Sequence, residues 1–488
     1  MGIVVNQSIR NTIITYIGFA IGAANALFMY PHFLGKTYYG LTAFLLSGAN
    51  VMMPLMAFGV HNTLVKFYNE YPTEKEKSQF LSFVLLLPLL LIIPVVLIGY
   101  VWYDAIAAQL SEKNPIIYHY VWLIPLIGLC MGYFEIFYAW VRVNLQSVFG
   151  NFIKEVVQRV LISVFLFAVY FEWISIVEFI YFTLGTYFVT MLVMVFFAFK
   201  IRRPVLTLNF PQNKKAVFIY SIFIILSGSV AVLLLDIDKV MLGQYINIDN
   251  IAFYSVAIFI ATVVSVPSRA MHQITYPLTA KLMSENKHDE LNELYKKTSI
   301  TLQIVGGYVL LGILINIKSL YQLLPVEYSG GIVAVFTIGL SKYFDLVLGN
   351  NNAIIFNSKY YRMVLLLGLL LAFVAISLNM LFIPMFGING AAIATLISVT
   401  IYTSAKLMFV VKRLHLFPFT RQTLYALGLS ILIFAIFYFW HFPVHPLGDI
   451  VLKSLLMTIV YGYLTYKFRL SPDVNQVIEK LFPKVKNL

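Results

Sequence analysis

GIVAVFTIGLSKYFDLVLGNNNAII, residues 331–355, is an apolar stretch with two charges at its centre. It is long enough to cross a bilayer, because about 20 helical residues cover the ~30 Å hydrocarbon core. A charge at the centre of a lone spanning helix costs roughly 2.5–3.5 kcal/mol. Lys342 and Asp345 have i,i+3 spacing, so they share one helix face and can pair. This face is predicted to line the interior of a helix bundle or a water-filled cavity. The other helices of the chain would form the wall of that cavity.

Two interpretations of Lys342 and Asp345 stay open. The pair either fixes helix packing alone, or it lines a path for substrate or ions, which is the default for charges inside a membrane. Asn350 follows in the same stretch, at the start of a run of three asparagines, and adds polar groups to the region.

The composition indicates an all-α polytopic membrane protein. The 488 residues are 60% hydrophobic and 11% charged, with a mean hydropathy of +0.86. Soluble domains carry about 25% charged residues. The single cysteine, Cys130, excludes an intramolecular disulfide. The first apolar run begins near Asn11 and is too long for the core of a cleavable signal, so none is predicted.

Fourteen stretches have the length and apolarity of transmembrane helices. They cover residues 12–34, 39–63, 80–103, 115–140, 152–171, 176–199, 216–242, 250–272, 298–318, 331–355, 362–384, 389–410, 423–440 and 448–467. The prolines of the basic loop 200–215 keep it from continuing a helix, and it separates six spans from eight. The predicted division is a six-helix lobe at 1–203, a second six-helix lobe at 204–410, and a terminal helix pair with a cytoplasmic amphipathic tail at 411–488, around a central cavity.

The basic residues lie mainly on one side of the predicted membrane. Of the 34 Lys and Arg residues, 28 fall in the loops and termini of the side that holds both chain ends. Lys and Arg are enriched in cytoplasmic loops, so both termini are predicted to be cytoplasmic. This bias accounts for the net charge of +13 without a nucleic-acid partner.

Two short signals predict helices on the cytoplasmic side. Thr73 and Glu76 have the spacing of a capping box. Ser471 and Pro472 form an N-cap and first-turn pair, and the amphipathic pattern of 471–488 predicts a helix at the membrane interface.

Polar residues within the predicted spans are the candidate cavity residues. For the two arginines among them, cytoplasmic anchoring is the alternative, and for the asparagine of the first span it is helix–helix hydrogen bonding. No metal-ligand spacing or nucleophile motif accompanies them, so neither a metal site nor an enzyme is predicted. The candidates are Asn25, Glu135, Arg142, Asp236, Asp238, Lys239, Arg269, Lys342, Asp345 and Asn350.

Three motifs resemble those of a known family. Residues 378–398, LNMLFIPMFGINGAAIATLIS, resemble the Asn…Ile-Pro-x-x-Gly-x-x-Gly-Ala-Ala-x-Ala-Thr signature of polysaccharide flippases. Residues 236–243, DIDKVMLG, resemble that family's Asp-[Arg/Lys]-x-x-Leu-Gly stretch, and residues 30–47 resemble its first hairpin. Over nearly its whole length the chain is similar to the Wzx-type lipid-linked oligosaccharide flippases of the MOP superfamily, which also holds the lipid II flippase MurJ and the MATE exporters.

The resemblance implies two lobes around a cationic cavity that alternates between the two membrane faces. The implied substrate is a glycan on undecaprenyl pyrophosphate, moved from the cytoplasmic to the periplasmic leaflet of a bacterial inner membrane. The implied pathway is synthesis of a surface polysaccharide such as the O-antigen of lipopolysaccharide, with membrane lipids and a polymerase as partners. No cofactor is implied, and coupling to Na⁺ or H⁺ stays open.

Two other functions remain to be weighed. A MATE-type antiporter needs deep acidic residues that take Na⁺ or H⁺, and Glu135, Asp236 and Asp345 could serve. A glycan polymerase or lipid-linked glycosyltransferase needs catalytic residues on large outer loops, or acids in the first one. The first predicted outer loop, 35–40, holds no acid, so an enzyme is disfavoured.

Overall fold

The computed structural model describes residues 2–203, 207, 209–360 and 362–481, and these residues form helices with no strand among them. The predicted all-α class is confirmed. The helices of the first half are α1 Gly2–Ala24, π1 Asn25–Leu34 (a π-helix), α2 Gly35–Met56, α3 Val60–Phe67, α4 Glu74–Leu86, α5 Leu89–Val101, α6 Tyr103–Ser111, α7 Leu123–Val143, α8 Ser147–Phe152, π2 Ile153–Val157 (a second π-helix), α9 Gln158–Tyr170, α10 Ile176–Ile201, α11 Lys214–Tyr245 and α12 Asp249–Thr262. Those of the second half are α13 Val266–Ser284, α14 His288–Ile315, α15 Ile317–Tyr321, α16 Ile332–Val347, α17 Asn351–Asn357, α18 Arg362–Leu414, α19 Arg421–Phe437, α20 Pro446–Lys467 and α21 Pro472–Leu481.

Nine helical runs within these residues are long and apolar enough to cross a membrane. Two of them are broken runs that each cover two predicted spans, at 10–56 and 362–414. In the second, Gly387 has a positive φ of 58°, so one helix ends at this residue and another begins after it. The protein is therefore a multi-pass membrane protein, and the count of fourteen spans stays a prediction.

The chain forms two compact units, residues 1–255 and 256–488. The boundary lies within α12 and not at the basic loop, of which residues 204–206 and 208 are outside the described part. The two compact units are defined by which residues lie close together, whereas the two lobes were predicted from the order of the helices along the chain. The division into two six-helix lobes and a terminal pair thus stays a prediction.

The first unit is organised around α7. This helix packs against α2, α3 and α10, and α2 packs against α11. Trp140, Phe80 and Leu64 are among its buried core residues. The predicted capping box is confirmed, because Thr73 Oγ1 accepts a hydrogen bond from the Glu76 backbone N–H and the Glu76 carboxylate accepts one from that of Thr73.

Helix α1 lies directly on the π2 turn. A Cβ atom at Gly18 would lie 2.3 Å from the backbone oxygen of Glu155, so only glycine allows the two backbones to come this close. The contact fixes α1 beside the charged residues of π2.

The stretch 331–355 is two helices, where the sequence predicted one. Gly349 separates α16 from α17 with a φ of 59°, and a Cβ there would lie 2.8 Å from the backbone nitrogen of Ser299. A left-handed φ and this close contact both require glycine. Discontinuous helices expose backbone and side-chain polar groups inside a membrane, which is typical of transporter binding sites.

The tail helix is confirmed over α21, and residues 482–488 of the predicted segment lie outside the described part. Ser471 Oγ lies 3.0 Å from Thr301 Oγ1, and Lys297 Nζ lies 3.0 Å from Asp473 Oδ1. These contacts attach the start of the tail helix to α14. Its location at the membrane interface stays a prediction.

Candidate functional site

The first unit contains a cavity of about 340 Å³ bounded by α1, π1, α2, α7, π2, α9 and α10. We call it the first-unit cavity. Its polar lining includes Asn25, Asn50, Glu135, Lys154, Glu155 and Arg159.

Two ion pairs lie in the first-unit cavity. Lys154 Nζ lies 2.5 Å from Glu135 Oε1, and this pair joins π2 to α7. Arg159 Nη2 lies 3.0 Å from Glu155 Oε2, across one turn at the junction of π2 and α9. The two positive and two negative charges of these four side chains thus neutralise each other within the first-unit cavity.

The π2 turn brings both cations to the same cavity. At 3.6 residues per turn, side chains five positions apart, such as Lys154 and Arg159, would point about 140° apart. The backbone N–H of Gln158 instead donates to the C=O of Ile153, an i→i+5 bond that widens the turn. This wider turn reduces the angle between the two side chains.

Asn25 holds π1 against α9. Its Nδ2 donates to the backbone oxygen of Arg159 at 3.0 Å, and its Oδ1 accepts from Ser163 Oγ at 2.7 Å. Asn25 therefore lines the cavity and also makes the helix–helix bonds that were the alternative reading of the sequence.

The second unit contains a cavity of about 220 Å³ beside the break between α16 and α17. We call it the second-unit cavity. Its polar lining includes Ser265, His272, Lys342, Asp345, Asn352 and Lys406.

The ion pair in the second-unit cavity joins Asp345 to a residue that the sequence reasoning missed. Lys406 Nζ lies 2.7 Å from Asp345 Oδ1 and donates to Asn352 Oδ1 at 3.3 Å. It also lies 4.3 Å from the ring centroid of Tyr402. The predicted partner, Lys342, lines the same cavity. The ion pair that Asp345 makes at 2.7 Å is with Lys406 of α18.

Asn350 stabilises the helix break and is fully buried. Its Nδ2 donates to Thr279 Oγ1 at 2.7 Å, and its Oδ1 accepts from Thr298 Oγ1 at 3.1 Å. This asparagine therefore joins α17 to α13 and α14.

The predicted residues of α11 make two separate sets of contacts. Asp236 Oδ1 lies 3.3 Å from Lys239 Nζ and accepts from Ser47 Oγ at 2.9 Å. Asp238 is fully buried and accepts from Tyr254 OH at 2.8 Å. These residues are not in the lining of either cavity, and their contact with a substrate stays a prediction.

The two predicted arginines also lie outside both linings. Arg142 is in the last turn of α7, with its guanidinium 4.8 Å from the ring centroid of Tyr138. Arg269 is exposed on α13. Their positions are compatible with the anchoring alternative.

Lys154, Glu155, Arg159 and Lys406 were missed although they lie within the predicted spans 152–171 and 389–410. These spans overlap the predicted inner segments 141–159 and 406–422, and the charges in the overlap were assigned to the inner side. The overlap was the available signal, because a charge inside an apolar span is a candidate for a cavity. Within the described ranges, no three His, Cys, Asp or Glu side chains are placed to hold a metal ion.

Comparisons with known proteins agree with the resemblance that the motifs indicated. A family model described as "Polysaccharide biosynthesis protein" matches residues 8–283. The chain is 26% identical over 266 residues to the "Probable flippase AglR" of Haloferax volcanii. That match covers 50% of this chain and 52% of the relative, so the matched segment spans about half the length of the curated protein.

Solved structures are similar to this chain in fold. The lipid II flippase MurJ in an inward closed conformation matches with a TM-score of 0.72 and 14% identity, over 94% of this chain and 99% of that one. An inward-facing MATE family multidrug transporter of the MOP superfamily matches with a TM-score of 0.63 and 14% identity, over 84% and 98%. The predicted MOP-type fold is confirmed.

Proposed function

The chain belongs to the polysaccharide biosynthesis protein family, and on this premise we propose that it is a flippase for a lipid-linked oligosaccharide. The substrate would be a glycan on undecaprenyl pyrophosphate or a related polyprenyl diphosphate. It would move from the cytoplasmic to the outer leaflet by alternating access, and would supply the synthesis of a surface polysaccharide. We propose a bacterial inner membrane as its location, both termini in the cytoplasm, and a polysaccharide polymerase as the next protein to act.

One observation carries this proposal: each compact unit holds an ion-paired polar cavity among apolar helices. Charges inside a membrane are costly and mark substrate or ion paths. A glycan needs hydrogen-bond partners for its hydroxyl groups, and a diphosphate needs cations. The cavities offer both kinds of group.

The proposed roles follow from the positions of the side chains. Asn25, Glu135, Lys342 and Asp345 line the cavities and would contact substrate. The other predicted residues would position helices, and they are Arg142, Asp236, Asp238, Lys239, Arg269 and Asn350. The protein would move its substrate without changing a covalent bond, and so would not be an enzyme.

Deletion of the gene tests the proposal. We expect the lipid-linked repeat unit to accumulate on the cytoplasmic leaflet and the surface glycan to fall. Lectin binding to intact cells and to opened membrane vesicles measures the two pools. Normal surface glycan in a strain without a second flippase would contradict the assignment, and re-expression of the wild-type gene is the control.

A cation-coupled exporter of the MATE type is the second candidate, favoured by the similarity of the fold. The ion pairs oppose it, because a coupling cation would have to displace Lys154 from Glu135, or Lys406 from Asp345. Efflux of a cationic dye from proteoliposomes, driven by a Na⁺ or H⁺ gradient, would support the exporter. Movement of a lipid-linked glycan in the same vesicles would support the flippase.

A further inference from the structure

We propose that a groove between α7 and α10 binds the isoprenoid chain of the lipid carrier. The inference rests on the proposed function and adds to it a site for the apolar part of the substrate. We call this site the α7–α10 groove, and its volume is about 620 Å³. It is distinct from the first-unit cavity, because the two linings share no residue. The lining of the groove includes Leu126, Cys130, Phe137, Tyr181, Gly185 and Val195.

The α7–α10 groove is a concave apolar surface. Its rims are exposed, since Leu126 of α7 is 40% exposed and Phe188 of α10 is 47% exposed. Its floor is buried at Cys130, which is 6% exposed. A Cβ atom at Gly185 would meet no other atom within 4 Å, so the groove is open at this point of α10. In a membrane, the ligand that fits an open apolar groove is a hydrocarbon chain.

The length of the groove distinguishes between the chains that a membrane offers. Its lining on α10 extends from Tyr181 to Val195, fourteen positions along the chain. At 1.5 Å per residue this is about 21 Å along the helix axis. One leaflet contributes only about 15 Å of the ~30 Å hydrocarbon core. The groove is therefore longer than the layer of acyl chains in either leaflet, which favours a polyprenyl chain that continues past the midplane.

The volume of the groove fits part of such a chain. A space of about 620 Å³ corresponds to about twenty groups of the size of a water, at ~30 Å³ each. A methylene group is of similar size, so the groove holds about four isoprene units of five carbons each. The rest of the polyprenyl chain stays in the bilayer.

One end of the groove lies at an aromatic cluster. The ring of Tyr181 lies 6.1 Å from that of Tyr120 and 6.2 Å from that of Trp122, measured between centroids. Tyr and Trp are enriched where a membrane protein meets the lipid headgroups. This cluster is next to the first residues of α7 and α10, so the groove begins at headgroup level and continues into the hydrocarbon core.

The two helices of the groove also line the first-unit cavity. On α7, Tyr133 faces the groove and Glu135 faces the cavity, and on α10 the corresponding residues are Phe188 and Tyr187. A carrier held by its chain in the groove stays beside the unit that contains the polar cavity. Binding of the chain thus raises the effective concentration of the attached glycan near this cavity.

Photo-cross-linking of the full-length protein in phosphatidylcholine nanodiscs tests the groove. The probe is undecaprenyl phosphate that carries a diazirine on its chain. We expect its cross-links to lie in residues 126–137 and 181–195. Unlabelled undecaprenyl phosphate should remove them, and an equal amount of dipalmitoyl phosphatidylglycerol should not. Cross-links spread evenly over the apolar helices, or equal competition by both lipids, would show that the groove holds ordinary acyl chains only.

A substitution that fills the groove provides the second test. Gly185→Leu adds a side chain in open space, and we expect cross-linking of the groove to fall by about tenfold. Gly99→Leu is the matched control, because Gly99 of α5 also has open space around its Cβ position and lies outside the groove. If Gly185→Leu keeps the wild-type unfolding temperature and the wild-type cross-links, the groove is wrong. Gly185→Val is judged by the same criterion if the leucine variant does not fold.

Flipping of a polyprenyl-linked oligosaccharide in proteoliposomes separates this inference from the proposed function. Flipping by the wild type, with cross-links outside the groove, would reject the groove and keep the flippase. Cross-links in the groove without any flipping would reject the flippase and leave a site for polyprenyl chains.

Discussion

At the scale of single residues, the orientation of each ion pair distinguishes the two cavities. Lys154 is accessible and its partner Glu135 is shielded, whereas Asp345 is accessible and Lys406 is shielded. A carboxylate that faces open space can accept sugar hydroxyl groups, and an accessible ammonium can bind an anion. The two ion pairs therefore present opposite charges, while Lys342 also lines the second-unit cavity.

The pair of Asp345 and Lys406 gives the first prediction. Asp345→Asn should destabilise the protein by roughly 3–5 kcal/mol, because it leaves a buried ammonium without its counter-charge. Lys406→Met should destabilise it less, since the carboxylate left behind is 48% exposed. The unfolding temperature and the membrane abundance of each variant measure the difference.

The double variant Asp345→Asn/Lys406→Met then separates structure from function. We expect it to recover abundance while transport stays low, because no charge remains unpaired but the cavity loses its carboxylate. Recovery of full transport would leave the pair as a packing element only. Glu290→Gln is the control, since it breaks only an exposed pair with Lys287 and leaves the pair of Asp345 and Lys406 intact.

At the scale of elements, irregular helix turns position the polar groups. The π2 turn brings Lys154 and Arg159 to one cavity, and the break before α17 places Asn352 beside Lys406. Close contacts that a larger side chain would disturb lie beside both irregularities, at Gly18 and at Gly349. Substitutions at these contacts therefore test the elements directly.

Gly18→Ala should separate α1 from π2. The new Cβ would lie 2.3 Å from the backbone oxygen of Glu155, and overpacking of this kind costs about 1–3 kcal/mol. Gly22→Ala is the matched control one turn later, because its Cβ would meet only the flexible side chain of Arg159, at 3.4 Å. Equal unfolding temperatures for the two variants would argue against the close approach of α1.

Gly349→Ala should destabilise the break between α16 and α17 by more than about 1 kcal/mol, because alanine disfavours a positive φ. The Cβ would also lie 2.8 Å from the backbone nitrogen of Ser299. Gly462→Ala on α20 meets open space and should stabilise its helix by up to about 1 kcal/mol. Thermal unfolding in one detergent compares them, and a Gly349→Ala protein as stable as the wild type would contradict the strained break.

At the scale of the whole molecule, apolar helices and the distribution of basic residues define the topology. Nine runs of the described chain can cross a membrane, and 28 of the 34 Lys and Arg residues lie on one predicted side. Positive charge is retained on the cytoplasmic side during insertion. The orientation of the chain in the membrane thus depends on all of its loops, and it can be tested without reference to either cavity.

Cysteine labelling tests the topology. In a Cys130→Ala background we propose single cysteines at Lys113, Ser284 and Lys467, which are all exposed. A membrane-impermeant maleimide on intact cells should label only position 113, and all three should react in opened membranes. Labelling of position 284 or 467 in intact cells would overturn the predicted orientation.

The membrane class, most span positions, the capping box and the family could be predicted from the sequence, because hydropathy, helix caps and local motifs depend on neighbouring residues. Glu135, Asp345 and Asn25 could be identified as cavity candidates, since polar groups stand out in apolar spans. The partners of these residues depend on how distant helices pack, and could not be predicted. Asp345 pairs with Lys406 from another helix, 61 positions away, and packing alone sets such a distance. The π2 turn breaks the 3.6-residue period on which sequence patterns rest, so the placement of Arg159 beside Lys154 could be found only in three dimensions.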